Sequence, residues 1–192
     1  MNSLPKYDSA ELLRLVREYA YQEGDFVLAS GARANFYLDC RRLTLHPRGL
    51  VQVAAGLFEL LQRDGLPDAV GGMAIGADPI TAGLVHRAGL VGADLLGFIV
   101  RKEAKSHGTG KQVEGPVLPG YRVVIVEDVV TSGGSSLKAI QAARDFGLVV
   151  EKVVAIVDRQ AGGREQFEAL GIRFECLLTL EDIQKTHQMT SS

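Results

Sequence analysis

The chain has 192 residues, 46% of them hydrophobic, which is enough for one well-buried domain and short for two. Its 21 lysines and arginines against 23 aspartates and glutamates give a formal net charge of −2, which argues against the basic footprint of a general nucleic-acid binder. No apolar run approaches the ~20 residues of a membrane-spanning helix, so neither nucleic acid nor membrane is an expected partner.

Residues 1–8 lack the charged start, apolar middle and small-residue cleavage site of a secretory leader, and a cytoplasmic location is expected. Cys40 and Cys176 are too few for a disulfide framework and have no close metal spacing, so they read as buried thiols of a reducing compartment. His46, His86, His107 and His187 are scattered, which argues against a zinc site.

In chain order, Asp8 and Ser9 offer an N-cap, and Leu12, Leu13, Val16, Tyr19 and Ala20 recur at helical spacing until Gly24 ends the helix. Phe26, Val27 and Leu28, a turn at Ser30 and Gly31, then Phe36, Tyr37 and Leu38 predict a hairpin outside the main sheet. Pro47 suits the first turn of a helix to about Arg63, with Val51, Ala54, Leu57, Phe58 and Leu61 on its apolar face. Strand and helix then alternate: a strand at 69–72, a helix near 79–89, and strands at 95–100 and 122–126. A helix at 136–146, a strand at 152–157, a helix near 163–170 and a strand at 174–178 complete the series. Repeated βα units imply a doubly wound, mainly parallel central sheet flanked by helices. One domain over residues 1–192 is expected, with an N-terminal hood of about 1–45 and a core of about 46–180. Residues 188–192 read as a frayed tail.

The segment 123–135 is the most informative. Four β-branched residues lead to the carboxylates Glu127 and Asp128, and Thr131, Ser132, Gly133, Gly134 and Ser135 then form a hydroxyl- and glycine-rich turn into a helix. Unpaired N–H groups and partial positive charge make a helix N-terminus a ready anion site. Two acids at a strand end can accept hydrogen bonds from sugar hydroxyls. A phosphate beside a diol satisfies both halves, and a phosphorylated ribose carries both. Neither the lysine-bearing nucleotide loop nor the G-x-G-x-x-G dinucleotide spacing is present.

Residues 102–120 form the one long connection. Within 101–111, Arg101, Lys102, Lys105 and Lys111 stand against Glu103 alone, a formal +3, and Gly108 and Gly110 let the backbone bend. A connection of this length is usually functional or disordered, and its charge suits a lid closing on a polyanion. Lys102, Glu127, Asp128 and Arg159 are all expected just past strand ends, where ligands of parallel sheets bind.

Residues 123–135 resemble the 5-phosphoribosyl diphosphate (PRPP) motif of type I phosphoribosyltransferases. Residues 101–110 resemble the loop of the orotate phosphoribosyltransferases, as do residues 26–39 and the run Val157, Asp158, Arg159, Gln160. The resemblance implies transfer of the 5-phosphoribosyl group from PRPP to orotate, giving orotidine 5′-monophosphate and diphosphate in pyrimidine biosynthesis. It implies a PRPP site of Arg101, Lys102, Lys105, His107, Glu127, Asp128, Val129, Val130, Thr131, Ser132, Gly133, Gly134 and Ser135. Lys102, Lys105, His107 and Asp128 are implied as catalytic, and Thr131, Arg159, Phe36 and Tyr37 as contacts of orotate. It further implies Mg²⁺ held mainly through PRPP rather than by protein ligands, and a homodimer in which Lys105 and His107 reach the neighbouring subunit's site.

Two positions depart from the family pattern: Ala29 and Gly76 stand where many members carry lysine. The alternatives are another PRPP-dependent base phosphoribosyltransferase or a non-catalytic PRPP-sensing regulator. Residues 1–25, however, leave room for only one helix of a DNA-binding module.

Overall fold

The computed structural model describes residues 4–27, 33–103 and 112–185. The chain opens with α1 (Ser9–Leu15), whose N-terminus is capped as expected: the Asp8 carboxylate accepts from the Ala10 and Glu11 N–H groups at 2.9 and 3.1 Å. A π-helical turn, Val16–Ala20, carries it into β1 (Tyr21–Val27), which pairs antiparallel with β2 (Arg33–Leu38). Gly24 therefore does not end the helix. It lies inside β1 at φ 154°, where the pairing shifts between Glu23 and Phe26. A bulge absorbs the glycine. The turn expected at Ser30 and Gly31 lies outside the described residues.

The short helix α2 (Arg41–Thr44) and the long α3 (Pro47–Gln62) follow. Pro47 opens α3 as expected; Ala54, Leu57, Phe58 and Leu61 are buried, whereas Val51 is 41% exposed and off the apolar face. The alternating part comprises β3 (Ala69–Met73), α4 (Ala77–Leu90), β4 (Leu96–Val100) and β5 (Val113–Glu114). It continues through β6 (Arg122–Val130), α5 (Gly134–Phe146), β7 (Val149–Asp158), α6 (Gly163–Ala169), β8 (Arg173–Thr179) and α7 (Leu180–Lys185). The sheet order is β5-β4-β3-β6-β7-β8, parallel throughout except for β5, which pairs antiparallel with β4. The order reverses beside β3 and β6, so their C-terminal ends flank the crevice where such sheets bind ligands.

Both sheet faces are covered, which explains the continuous apolar strands. Val124 and Val126 of β6 and Val154 and Ile156 of β7 pack with α1, α3 and α4. Val123 and Ile125, with Val153 and Ala155, face α5 and Phe167 of α6 on the other side. Strand side chains alternate between faces, so two apolar layers require an unbroken apolar run.

The sequence reading starts β7 at Lys152, but the strand begins at Val149 and Lys152 is only 2% exposed. Its ammonium donates to Asp64 at 2.9 Å, to Glu175 at 2.8 Å and to the Leu60 carbonyl at 3.2 Å. Arg173 and Arg63 pair with the same two carboxylates at 3.1 and 3.4 Å. A buried charge tolerates this position because its partners fill its donor capacity. Lys152→Ala is expected to lower stability by about 2 kcal/mol, less than the ~3–5 kcal/mol of a fully buried broken pair because Asp64 and Glu175 are partly exposed and keep their arginines. Lys152→Met, which restores the volume, should recover at least half of that loss in urea unfolding; wild-type stability in the alanine variant would contradict the assignment.

Candidate active site

The site is built where β6 ends. β6 extends to Val130 because β7 runs beside it in parallel, Glu127 opposite Ala155 and Val130 opposite Asp158. Glu127 and Asp128 therefore lie inside the strand rather than past its end, as the sequence reading expected. Lys102 and Arg159 do lie past their strands, β4 and β7.

From Val130 the chain turns through Thr131, Ser132 and Gly133 into α5. Gly133 is left-handed at φ 80°, a conformation that suits glycine, and a Cβ there would come within 3.0 Å of the Phe167 ring. The back of the turn is closed by α6: the Gly163 N–H donates to the Thr131 carbonyl at 3.0 Å. A Cβ on Gly163 would lie 2.4 Å from Val130, so only glycine fits. On the front, a Cβ on Gly134 would meet nothing nearer than the Ser132 hydroxyl at 3.9 Å. The result is an open hollow of about 340 Å³ lined by Glu127, residues 129–136 and Lys138, with the first N–H groups of α5 available to an anion.

A second hollow of about 360 Å³ adjoins it and shares Glu127, Val129, Thr131 and Ser135. Its other walls include Tyr37, Asp39, Arg41, residues 73–76, Lys102, Asp128 and Arg159. Glu127 is 6% exposed and accepts from the fully buried Ser136 hydroxyl of α5 at 2.9 Å. Burial, then the neighbouring Asp128 charge, push its carboxyl up to about 7. Burial also raises Asp128, eased by the Val129 N–H, which donates to it at 2.8 Å. Asp128 lies against the turn after β3, whose Ala74–Ile75 peptide is cis; a Cβ on Gly76 would sit 3.0 Å from its carboxylate.

Arg159 joins the N-terminal hairpin to the sheet. Its backbone N–H donates to the Val130 carbonyl at 2.8 Å, and its guanidinium carbon lies 4.8 Å from the Phe36 ring centre. Its Nε is buried with no hydrogen-bond partner among the described residues. The buried Asp158 accepts the Gln160 N–H at 2.7 Å and holds Gln160 in a left-handed conformation at φ 54°, which turns the chain just past Arg159. Tyr37 lines the hollow, whereas Phe36 stands behind Arg159 and stacks on Tyr21 with ring centres 5.8 Å apart.

The hollow thus gathers Tyr37, Lys102, Glu127, Asp128, Val129, Thr131, Ser135 and Arg159 from the sequence-derived set, and the adjoining one holds Val130, Ser132, Gly133 and Gly134. Arg101 is not brought in: its guanidinium reaches Glu114 at 3.2 Å, and it lines a neighbouring groove with Ile75, Asp78 and Glu103. Lys105, His107 and Ala29 lie outside the described residues. Two residues escaped the sequence reading. Arg41 forks onto Asp39 through Nε at 2.8 Å and Nη2 at 3.0 Å, and both line the hollow. The available signal was the charged run of Asp39, Arg41 and Arg42 directly after an aromatic strand.

A parallel sheet that carries an acidic strand end into a glycine-rich anion hollow defines a phosphoribosyltransferase, and the phosphoribosyl transferase domain family matches residues 42–183. Among curated relatives, the orotate phosphoribosyltransferase of Rhodopirellula baltica is 54% identical over 180 residues, covering 91% of this chain and 93% of its own. The orotate phosphoribosyltransferase of Mycobacterium tuberculosis H37Rv, solved with Fe(III) dicitrate, superposes with a TM-score of 0.81 at 38% identity over 92% of this chain and 98% of that one. The same enzyme solved with PRPP gives 0.77 at 35% identity over 91% and 98%. The chain belongs to the orotate phosphoribosyltransferase family.

The raised acids fix the sign of a pH effect. Glu127 binds its proton more tightly folded than unfolded, so its contribution to stability is complete below its ordinary value of 4.5 and is lost as pH rises to about 7. Asp128 acts in the same direction. Glu127→Gln, which keeps an acceptor for Ser136, is expected to exceed wild type in stability at pH 8 by on the order of 1–3 kcal/mol, a gap that closes toward pH 4. Thermal unfolding across that range checks it; a gap that widens on acidification would contradict the burial of Glu127.

Proposed function

We propose that this chain transfers the 5-phosphoribosyl group of PRPP to a ring nitrogen of orotate, releasing diphosphate and orotidine 5′-monophosphate, in pyrimidine biosynthesis. The observation that carries this reading is the pair of adjoining hollows that share Glu127 and Thr131. The 5′-phosphate sits in the 131–135 turn, where N–H groups and the Thr131, Ser132 and Ser135 hydroxyls converge. Glu127 and Asp128 accept the ribose hydroxyls. Orotate, a planar anion, lies toward Tyr37 and Arg159, whose Nε, without a hydrogen-bond partner among the described residues, and Phe36-backed guanidinium suit a carboxylate or carbonyl edge.

In the reaction the bond from the anomeric carbon to the diphosphate oxygen breaks, a bond to the orotate nitrogen forms, and that nitrogen's proton passes to the departing diphosphate or to solvent. Positive character grows on the ribose carbon and negative charge on the departing oxygen. The chain's part is positioning and charge compensation. Lys102 faces the diphosphate side, and Lys105 and His107, placed by resemblance, close over it from the neighbouring subunit of a homodimer. Closure excludes water from the activated carbon.

Magnesium fits as an ion carried in on PRPP. Of the carboxylates lining the hollow, Glu127 and Asp128 are the ones placed at the ribose and would assist the ion, which would add positive charge to the leaving group. We read the whole chain as one domain with the hairpin as its hood. The chain acts in the cytoplasm; among the described residues no helix is long and apolar enough to cross a membrane.

Protein, Mg²⁺, PRPP and orotate together should deplete the ultraviolet band of orotate, while adenine or hypoxanthine in its place gives no product. Arg159→Ala is expected to raise KM for orotate about 10- to 100-fold, the worth of a charge-assisted hydrogen bond, with KM for PRPP changed less than about threefold. Turnover with a purine and none with orotate would move the chain to another branch.

A further inference from the structure

The turn facing Asp128 brings no positive charge to the diphosphate side of the cleft. Residues 74–78 are Ala74, Ile75, Gly76, Ala77 and Asp78, and at Gly76 a Cβ would already press on the Asp128 carboxylate at 3.0–3.2 Å. Three cations line the hollow that holds Asp128, among the described residues: Lys102, Arg159 and Arg41. Arg159 is committed to the Phe36 ring and the base end. Arg41 lies outside the phosphate turn, within electrostatic reach of Asp128 and of Tyr37.

Arg41 is built for fixed presentation. Its backbone N–H and its Nε both donate to one oxygen of Asp39, at 3.1 and 2.8 Å, and Nη2 donates to the other at 3.0 Å. The fork locks the guanidinium plane and leaves Nη1 without a hydrogen-bond partner among the described residues. Asp39 is 17% exposed and Arg41 52%, so the acid is the buried member and the cation the presented one. The pair lowers the Asp39 carboxyl below its usual range, which keeps the clamp ionised. Arg41 also lies close enough to Asp128 to favour that residue's ionised form. An exposed ion pair adds little to stability, so bracing α2 does not account for a guanidinium held in plane at the cleft wall.

We propose that Arg41 is a diphosphate-binding residue, clamped by Asp39, that supplies with Lys102 the positive charge the 74–78 turn lacks. The inference rests on the PRPP-dependent reading of the same cleft. A preformed cation costs little reorganisation as charge grows on the leaving oxygen. Arginine suits this place better than lysine because one edge of its fork grips Asp39 while another nitrogen remains for a phosphoryl oxygen.

The test uses the full chain with Mg²⁺ and three titrants: PRPP, inorganic diphosphate and ribose 5-phosphate. Arg41→Gln is expected to weaken PRPP and diphosphate about 10- to 100-fold, the loss of a charge-assisted contact, and to leave ribose 5-phosphate and KM for orotate within about threefold. Arg41→Lys, which keeps the charge without the fork, should fall between Arg41→Gln and wild type. If the glutamine variant does not fold, selective loss of diphosphate in the lysine variant supports the inference, and wild-type diphosphate affinity there overturns it. Wild-type affinity for diphosphate in Arg41→Gln overturns the inference while leaving the enzyme reading intact. Equal losses for all three titrants and orotate also overturn it, because they mark a damaged wall. Failure of the wild-type protein to bind PRPP overturns the enzyme reading as well.

Discussion

A single buried contact organises the site: the Ser136 hydroxyl, fully buried at the start of α5, donates to the Glu127 carboxylate inside β6 at 2.9 Å. It spans the turn between strand and helix and thereby fixes the distance between the acids and the first N–H groups of α5. The parallel pairing of β6 with β7 carries Glu127 into low dielectric, where a carboxylate is unfavourable unless hydrogen-bonded or protonated. Burial thus raises the Glu127 carboxyl, and hydroxyl donors would favour its ionised form. Carboxyls raised by burial are common at sites kept for a ligand.

The rest of the architecture serves that turn. Gly163 at the start of α6 lets the chain approach Val130 and Thr131 closely enough to hold the cradle from behind. Asp158 ends β7 with a left-handed turn at Gln160, which lets Arg159 reach Phe36 in the hairpin. The hairpin, a two-stranded sheet among the described residues, thereby becomes a wall of the site. The ends of β3, β4, β6 and β7 and the hairpin meet at one place.

Much of this was legible in the sequence. The alternating βα pattern pointed to the sheet, because strands buried on both faces must read as continuous apolar runs, and the hydroxyl-glycine turn pointed to the anion hollow. What was not legible depended on pairing. Nothing local shows that β6 continues through two carboxylates, since β7 alone supplies the backbone partners that carry it on. The two-residue strand β5, within the long connection, exists only against the edge of β4. The tertiary partners of Lys152 are 88 and 23 residues away, so its burial could not be read from its neighbours. Arg41 was overlooked for a related reason: a charge run after a strand usually marks a solvated surface, and here the hairpin folds it over the cleft.

The most direct measurement is calorimetric titration of Mg-PRPP at pH 7 in buffers of differing ionisation enthalpy, for wild type and Glu127→Gln. A carboxylate that must ionise to receive the ribose hydroxyls releases about half a proton per site from wild type, beyond whatever the ligand itself exchanges in the variant. Binding with the same proton count in both proteins, or with net uptake attributable to Glu127, would contradict the role given to the buried acid.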